Sequence, residues 1–87
     1  MEESAHFRHV LRERGIERVW VDRTLEEPES AEDRDDGTRH FTRRILEFDG
    51  RWLRVVVNVA VDPPVLVTAF FDRRLRSQHE SQGRQNE

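Results

Sequence analysis

The sequence predicts an α+β fold, an N-terminal helical hairpin packed on a three- to four-stranded antiparallel sheet. Apolar residues recur at helical spacing as far as Pro28. The period then changes to two after Gly37. Asp-Gly pairs, strong turn formers, stand at Asp36-Gly37 and Asp49-Gly50 in the strand-like half. Helices first and strands afterwards make separate layers, as in α+β domains.

Ser4 is placed to cap a helix that runs to about Arg14, with Gly15 as its stop and Phe7, Val10 and Leu11 as its apolar stripe. A second helix is expected from Glu17 to about Glu26, ended by Pro28, with Ile16, Trp20, Val21 and Leu25 inward and Val19 off that face. Two short helices joined at Gly15 give the hairpin. Residues just before Asp36-Gly37 suit a short edge strand. Thr38 to Phe48 reads as a strand, and Arg51 to Val61 is the strongest one, with Leu53, Val55, Val57, Val59 and Val61 on one face. Asp62-Pro63-Pro64 breaks it, and Val65 to Phe71 follows with Val65, Val67, Ala69 and Phe71 on one face. Trp52, Val56, Leu66 and Phe70 fall on the other. The domain is expected over residues 4–76, and residues 77–87, which lack apolar side chains, as a loose tail.

Eighty-seven residues bury a small core, so a partner or a homodimer would help this chain, and Val19, Trp20, Trp52 and Phe70 are the candidate contacts. No apolar run has the length of a membrane span, and the acidic, polar start lacks the layout of a secretory signal. The chain has no cysteine, which fits a cytoplasmic location and excludes disulfides and thiolate metal sites. All fifteen basic residues are arginines, whose planar fork suits phosphate. The net charge of -3 is uneven: Asp22 to Asp36 carries eight acidic residues against two arginines, and the remainder is mildly basic.

His6, then Arg14-Gly15-Ile16, Val21, Leu25 and Pro28, followed by Arg39 to Arg44, Gly50-Arg51, Leu53 to Val57, Val67 to Phe70 and Asp72-Arg73-Arg74, resemble a family of small bacterial toxin-like domains of uncharacterised function. That family is grouped with RelE-like and barnase-like ribonuclease toxins. The resemblance implies metal-independent cutting of RNA, with an antitoxin protein as partner and no cofactor. Val10 stands where the family has an arginine, and Val19 and Trp20 replace polar residues of its second helix. Those departures favour an alternative, a noncatalytic protein-binding or self-associating module on the same fold.

Metal-free RNA cleavage needs a base for the 2′-hydroxyl proton, an acid for the leaving oxygen and cations near the phosphorus. His6, at the border of the first helix's apolar stripe, is the expected acid or base. Arg43 and Arg54 on the strands are expected beside it, and Thr68 to hold a phosphate oxygen or to orient His6. Arg12, Arg14, Arg73 and Arg74 are expected to bind RNA. His40 is a second candidate for proton transfer. His6 and His9, one turn apart, lack a third zinc ligand, so no metal site is expected.

Overall fold

The computed structural model describes residues 1–76. The tail expected over residues 77–87 lies outside them. In chain order the elements are β1 (Glu2–Glu3), α1 (Ala5–Glu13), α2 (Arg18–Glu26), β2 (Ser30–Asp33), β3 (Thr38–Ile45), a 3-10 turn (Leu46–Phe48), β4 (Arg51–Asn58) and β5 (Val65–Phe71). The fold is α+β, with the helices α1 and α2, the 3-10 turn and a helical turn at 73–76 among the described residues. One five-stranded mixed sheet runs in the order β1-β5-β4-β3-β2.

Two features differ from the expected architecture. A fifth strand, β1, adds to the sheet edge parallel to β5, pairing Glu2 with Val65 and Glu3 with Leu66. It has two residues, too few to carry an alternating pattern. The helices also pack chiefly on the sheet, α1 on β5 and α2 on β4 and β3, rather than on each other.

The helices start and stop where the backbone chemistry demands. Ser4 is the N-cap of α1: its Oγ accepts the Phe7 N–H at 3.0 Å. The same hydroxyl donates to the Val67 carbonyl at 3.1 Å, which pins the start of the helix to β5. Gly15 follows the helix with φ +65°, a left-handed conformation that glycine adopts at least cost. Arg43 of β3 donates to the carbonyl of Glu27 at the C-terminal end of α2, where a cation also meets the negative end of the helix dipole.

The core lies between helices and sheet. Phe7, Leu11, Ile16, Trp20 and Val21 meet Ile45, Leu53, Val55, Val57, Leu66 and Ala69. Each large apolar side chain buried there contributes about 1.5–3 kcal/mol against exposure. Trp20, Phe48 and Phe71 form an aromatic cluster at one end, with ring centroids 4.9–6.1 Å apart. β4 is the central strand and is buried on both faces from Trp52 to Val57.

A β-bulge decides which β5 residues reach the core. The β4–β5 register pairs Val56 with Thr68 but Val57 with Leu66, so Val67 is the extra residue. The strand parity therefore slips by one. Leu66, expected opposite Ala69 and Phe71, lies with them on the core face. Strand β4 also stops at Asn58 rather than Val61. The Asn58 side chain accepts the Ala60 N–H at 3.0 Å, and the Val59 N–H donates to the Gly37 carbonyl at 3.0 Å, so the chain turns away there.

Candidate functional site

The sheet face turned away from the helices carries His40 and Thr42 of β3, Trp52, Arg54 and Val56 of β4, and Thr68 and Phe70 of β5, placed side by side by the registers His40↔Val56↔Thr68 and Thr42↔Arg54↔Phe70. Polar and apolar side chains mix on it, with Trp52 and Val56 buried.

His6 reaches this face from its edge. Ser4 donates its backbone N–H to Leu66 and its hydroxyl to Val67, so α1 begins beside the bulge of β5. Two residues later the exposed His6 places Nε2 3.3 Å from Thr68 Oγ1. A hydroxyl donates and accepts equally well. Thr68 thus keeps its bond to His6 whether Nε2 carries a proton or a lone pair, which leaves Nδ1 available for proton transfer in both states.

Arg54 organises the middle of the face. It is 8% exposed and paired with Asp72, which is 5% exposed. Its Nε and Nη2 each lie 3.0 Å from Asp72 Oδ2. Its Nη1 lies 3.2 Å from His40 Nδ1. A guanidinium only donates, so His40 Nδ1 is the acceptor and the proton of the neutral ring sits on Nε2. Burial, followed by the charges of Arg34 and Arg54, holds the His40 imidazole below its ordinary pKa against the pull of Asp36 and Glu32. Burial alone would raise the pKa of Asp72. Hydrogen bonds from Arg74 and Arg54 outweigh it and keep the carboxyl below the usual range. Asp72 also accepts the Arg74 backbone N–H at 3.0 Å, which starts the helical turn at 73–76.

Beside this cluster lies a hollow of about 280 Å³ lined by His40, Thr42, Trp52, Arg54, Leu75 and a rim of Glu29, Ser30 and Glu32. Its charge is mixed, since Arg54 is balanced by Asp72 and two glutamates stand on the rim. Such a hollow suits an uncharged group rich in donors and acceptors better than a bare phosphate.

The expected site residues divide into groups. His6 and Thr68 are hydrogen-bonded, and Arg54 shares their sheet face. Arg43 does not join them: it pairs with Leu53 in register and points to the core side, under the end of α2. Arg14 donates to the Ala69 carbonyl at 2.7 Å, on the stretch of β5 beyond its pairing with β1. Arg74 is bonded to Asp72, and Arg73 is exposed. Arg12 lies on the opposite flank of α1 from His6, in a separate cleft with Arg8. Of the candidate contact residues, Trp20 is in the core and Trp52 is buried under the Arg44 guanidinium, 5.2 Å from its ring centre. Phe70 is half-buried, and Val19 is 55% exposed. Among the described residues no group of three or more His, Cys, Asp or Glu side chains is placed to hold a metal ion, and no helix is long and apolar enough to cross a membrane.

Asp72 was not among the expected site residues. Its sequence signal is the Asp-x-Arg step directly after a strand, an Asx-type start of a helical turn.

Residues 4–71 match the family described as Domain of unknown function (DUF4258). The chain belongs to this family. No curated protein and no solved structure matches it. The match spans the DUF4258 domain from the Ser4 cap to the end of β5 and so takes in His6, His40, Arg54 and Thr68.

Proposed function

We propose that this DUF4258 domain is a toxin-like, metal-independent endoribonuclease that works on the sheet face turned away from its helices. The observation that carries the reading is the hydrogen bond of the exposed His6 to Thr68, on the same face as the Arg54–His40–Asp72 cluster. In the proposed step His6 takes the proton of a ribose 2′-hydroxyl. The 2′-oxygen bonds to the adjacent phosphorus, the bond from phosphorus to the 5′-oxygen breaks, and that oxygen takes a proton from water. The products are a 2′,3′-cyclic phosphate and a 5′-hydroxyl. Thr68 is the positioning residue for the imidazole. The mixed-charge hollow takes the neighbouring nucleobase, with Trp52, Thr42 and the His40 Nε2–H in its walls, and Arg54 still has N–H groups beyond those used by Asp72 and His40.

The reading is tested by incubating purified protein with RNA in EDTA. Wild type is expected to cut, His6→Ala to lose at least about a hundredfold in rate, within the usual range for a general acid or base. Equal rates for wild type and His6→Ala would rule the enzyme out.

The exposure of Val19 on α2 favours a second reading, a noncatalytic module that binds a protein partner such as an antitoxin, or a second copy. Light scattering would then show an assembly that Val19→Glu breaks, whereas a monomer unchanged by that substitution counts against this use of α2.

A further inference from the structure

A cavity larger than the hollow beside Arg54 lies away from His6. It opens between the end of α1 and the start of α2, has a volume of about 540 Å³, and is lined by Arg8, Leu11, Arg12, Gly15, Ile16, Glu17 and Arg18. Leu11 and Ile16 are buried and form an apolar floor. Three guanidinium groups surround it.

The three are not equivalent. Arg18 is held in place by a two-pronged bond to Glu3, with N–O distances of 2.6 and 2.9 Å. Arg8 and Arg12 carry no ion pair or hydrogen bond from their side chains among the described residues. Most other arginines of the domain do: Arg14, Arg23, Arg39, Arg43, Arg54 and Arg74 all spend donors on protein oxygens. Arg8 and Arg12 also lie one turn apart on α1, so their forks emerge side by side. Two adjacent, uncommitted guanidiniums over a cavity with one fixed cation at its rim form a donor array for successive phosphate groups. Glu17 is the one carboxylate lining the cavity, and Glu3 neutralises Arg18, so Arg8 and Arg12 leave the cleft with a single excess positive charge. This contrasts with the balanced charge of the hollow by Arg54.

We infer that this cleft binds the phosphate backbone of an RNA strand away from the bond being cut. The inference rests on the proposed ribonuclease reading and adds a strand-holding site to it. His6 and the Arg8–Arg12 pair lie on opposite flanks of α1, so a strand crossing this helix reaches both.

The test uses a labelled 2′-O-methyl oligonucleotide, which cannot be cut, and fluorescence anisotropy over a range of salt. Arg8→Ala with Arg12→Ala is expected to weaken binding roughly tenfold and to lower the slope of log affinity against log salt by about 0.7 for each phosphate that is no longer neutralised. Arg8→Lys with Arg12→Lys should keep most of the slope, which shows that charge and not fold was removed. An affinity and salt slope unchanged in the double alanine variant would overturn the inference. His6→Ala separates the two levels: it should abolish cutting and leave oligonucleotide affinity intact. If wild type binds the oligonucleotide through Arg8 and Arg12 but cuts nothing, the strand site stands and the ribonuclease reading fails.

Discussion

The chemistry of the proposed site turns on what one hydroxyl permits. Thr68 bonds His6 in either protonation state, so removing its oxygen while keeping its shape should misorient the imidazole without disturbing the fold. Thr68→Val is expected to lower kcat roughly tenfold to a hundredfold and Thr68→Ser to restore most of it, read from steady-state RNA cleavage. Arg54 and Asp72 set a different kind of dependence. Asp72→Ala leaves a guanidinium buried without its carboxylate and should cost about 3–5 kcal/mol of stability in urea unfolding. Arg54→Met combined with Asp72→Asn, which removes both charges and keeps an acceptor for the Arg74 N–H, should cost less. His40 sets the pH response. Its folded pKa lies below the ordinary 6.5, so the unfolded chain binds the proton first as pH falls. Stability is therefore full above about pH 6.5 and declines as pH drops through the folded value. His40→Asn should flatten that decline in unfolding curves taken across the window.

At the scale of elements, Ser4 couples fold to site. Its single hydroxyl caps α1 and ties the helix to the bulged part of β5, which sets His6 opposite Thr68. Ser4→Ala should cost about 1–2 kcal/mol by thermal or urea unfolding and should also reduce RNA cleavage; a drop in stability with full activity would mean that His6 needs no such anchor. Most elements are legible in the sequence because periodicity and caps are local: Ser4, Gly15, Pro28 and the two Asp-Gly turns bracket helices and strands within a few residues of their observed ends. The bulge at Val67 is not legible. Nothing in Val65-Leu66-Val67-Thr68 marks which residue lacks a partner, so simple alternation puts Leu66 on the wrong face. β1 is equally silent, since two acidic residues carry no strand pattern, and what holds them, the Glu2 N–H on the Pro64 carbonyl and the Arg18 fork on the Glu3 carboxylate, comes from distant parts of the chain. Of the site, His6 and Thr68 are readable from helix phase and strand chemistry. The pairing of Arg54 with Asp72 and His40 is not, because it depends on registers between strands far apart in sequence. Arg43 shows the same limit: adjacent to Arg44, it has to point one way, and only the register with Leu53 fixes which.

At the scale of the whole molecule the proposed sites lie apart. Helices cover one side of the sheet and seal the core; the opposite side holds His6, Thr68, Arg54 and His40; the arginine cleft occupies the far flank of α1. The acidic stretch from Asp22 to Asp36 runs through the end of α2 into β2, the sheet edge opposite β1. A net charge of -3 would repel RNA if it were spread evenly, so the proposed strand binding depends on keeping those acids at the other edge. The measurement that tests the central proposal most directly is the chemical identity of the RNA ends left in EDTA by wild type and by His6→Ala. Mass spectrometry should find new 2′,3′-cyclic phosphate ends with wild type and none above blank with His6→Ala. No such ends with wild type, or the same yield from both proteins, would contradict it.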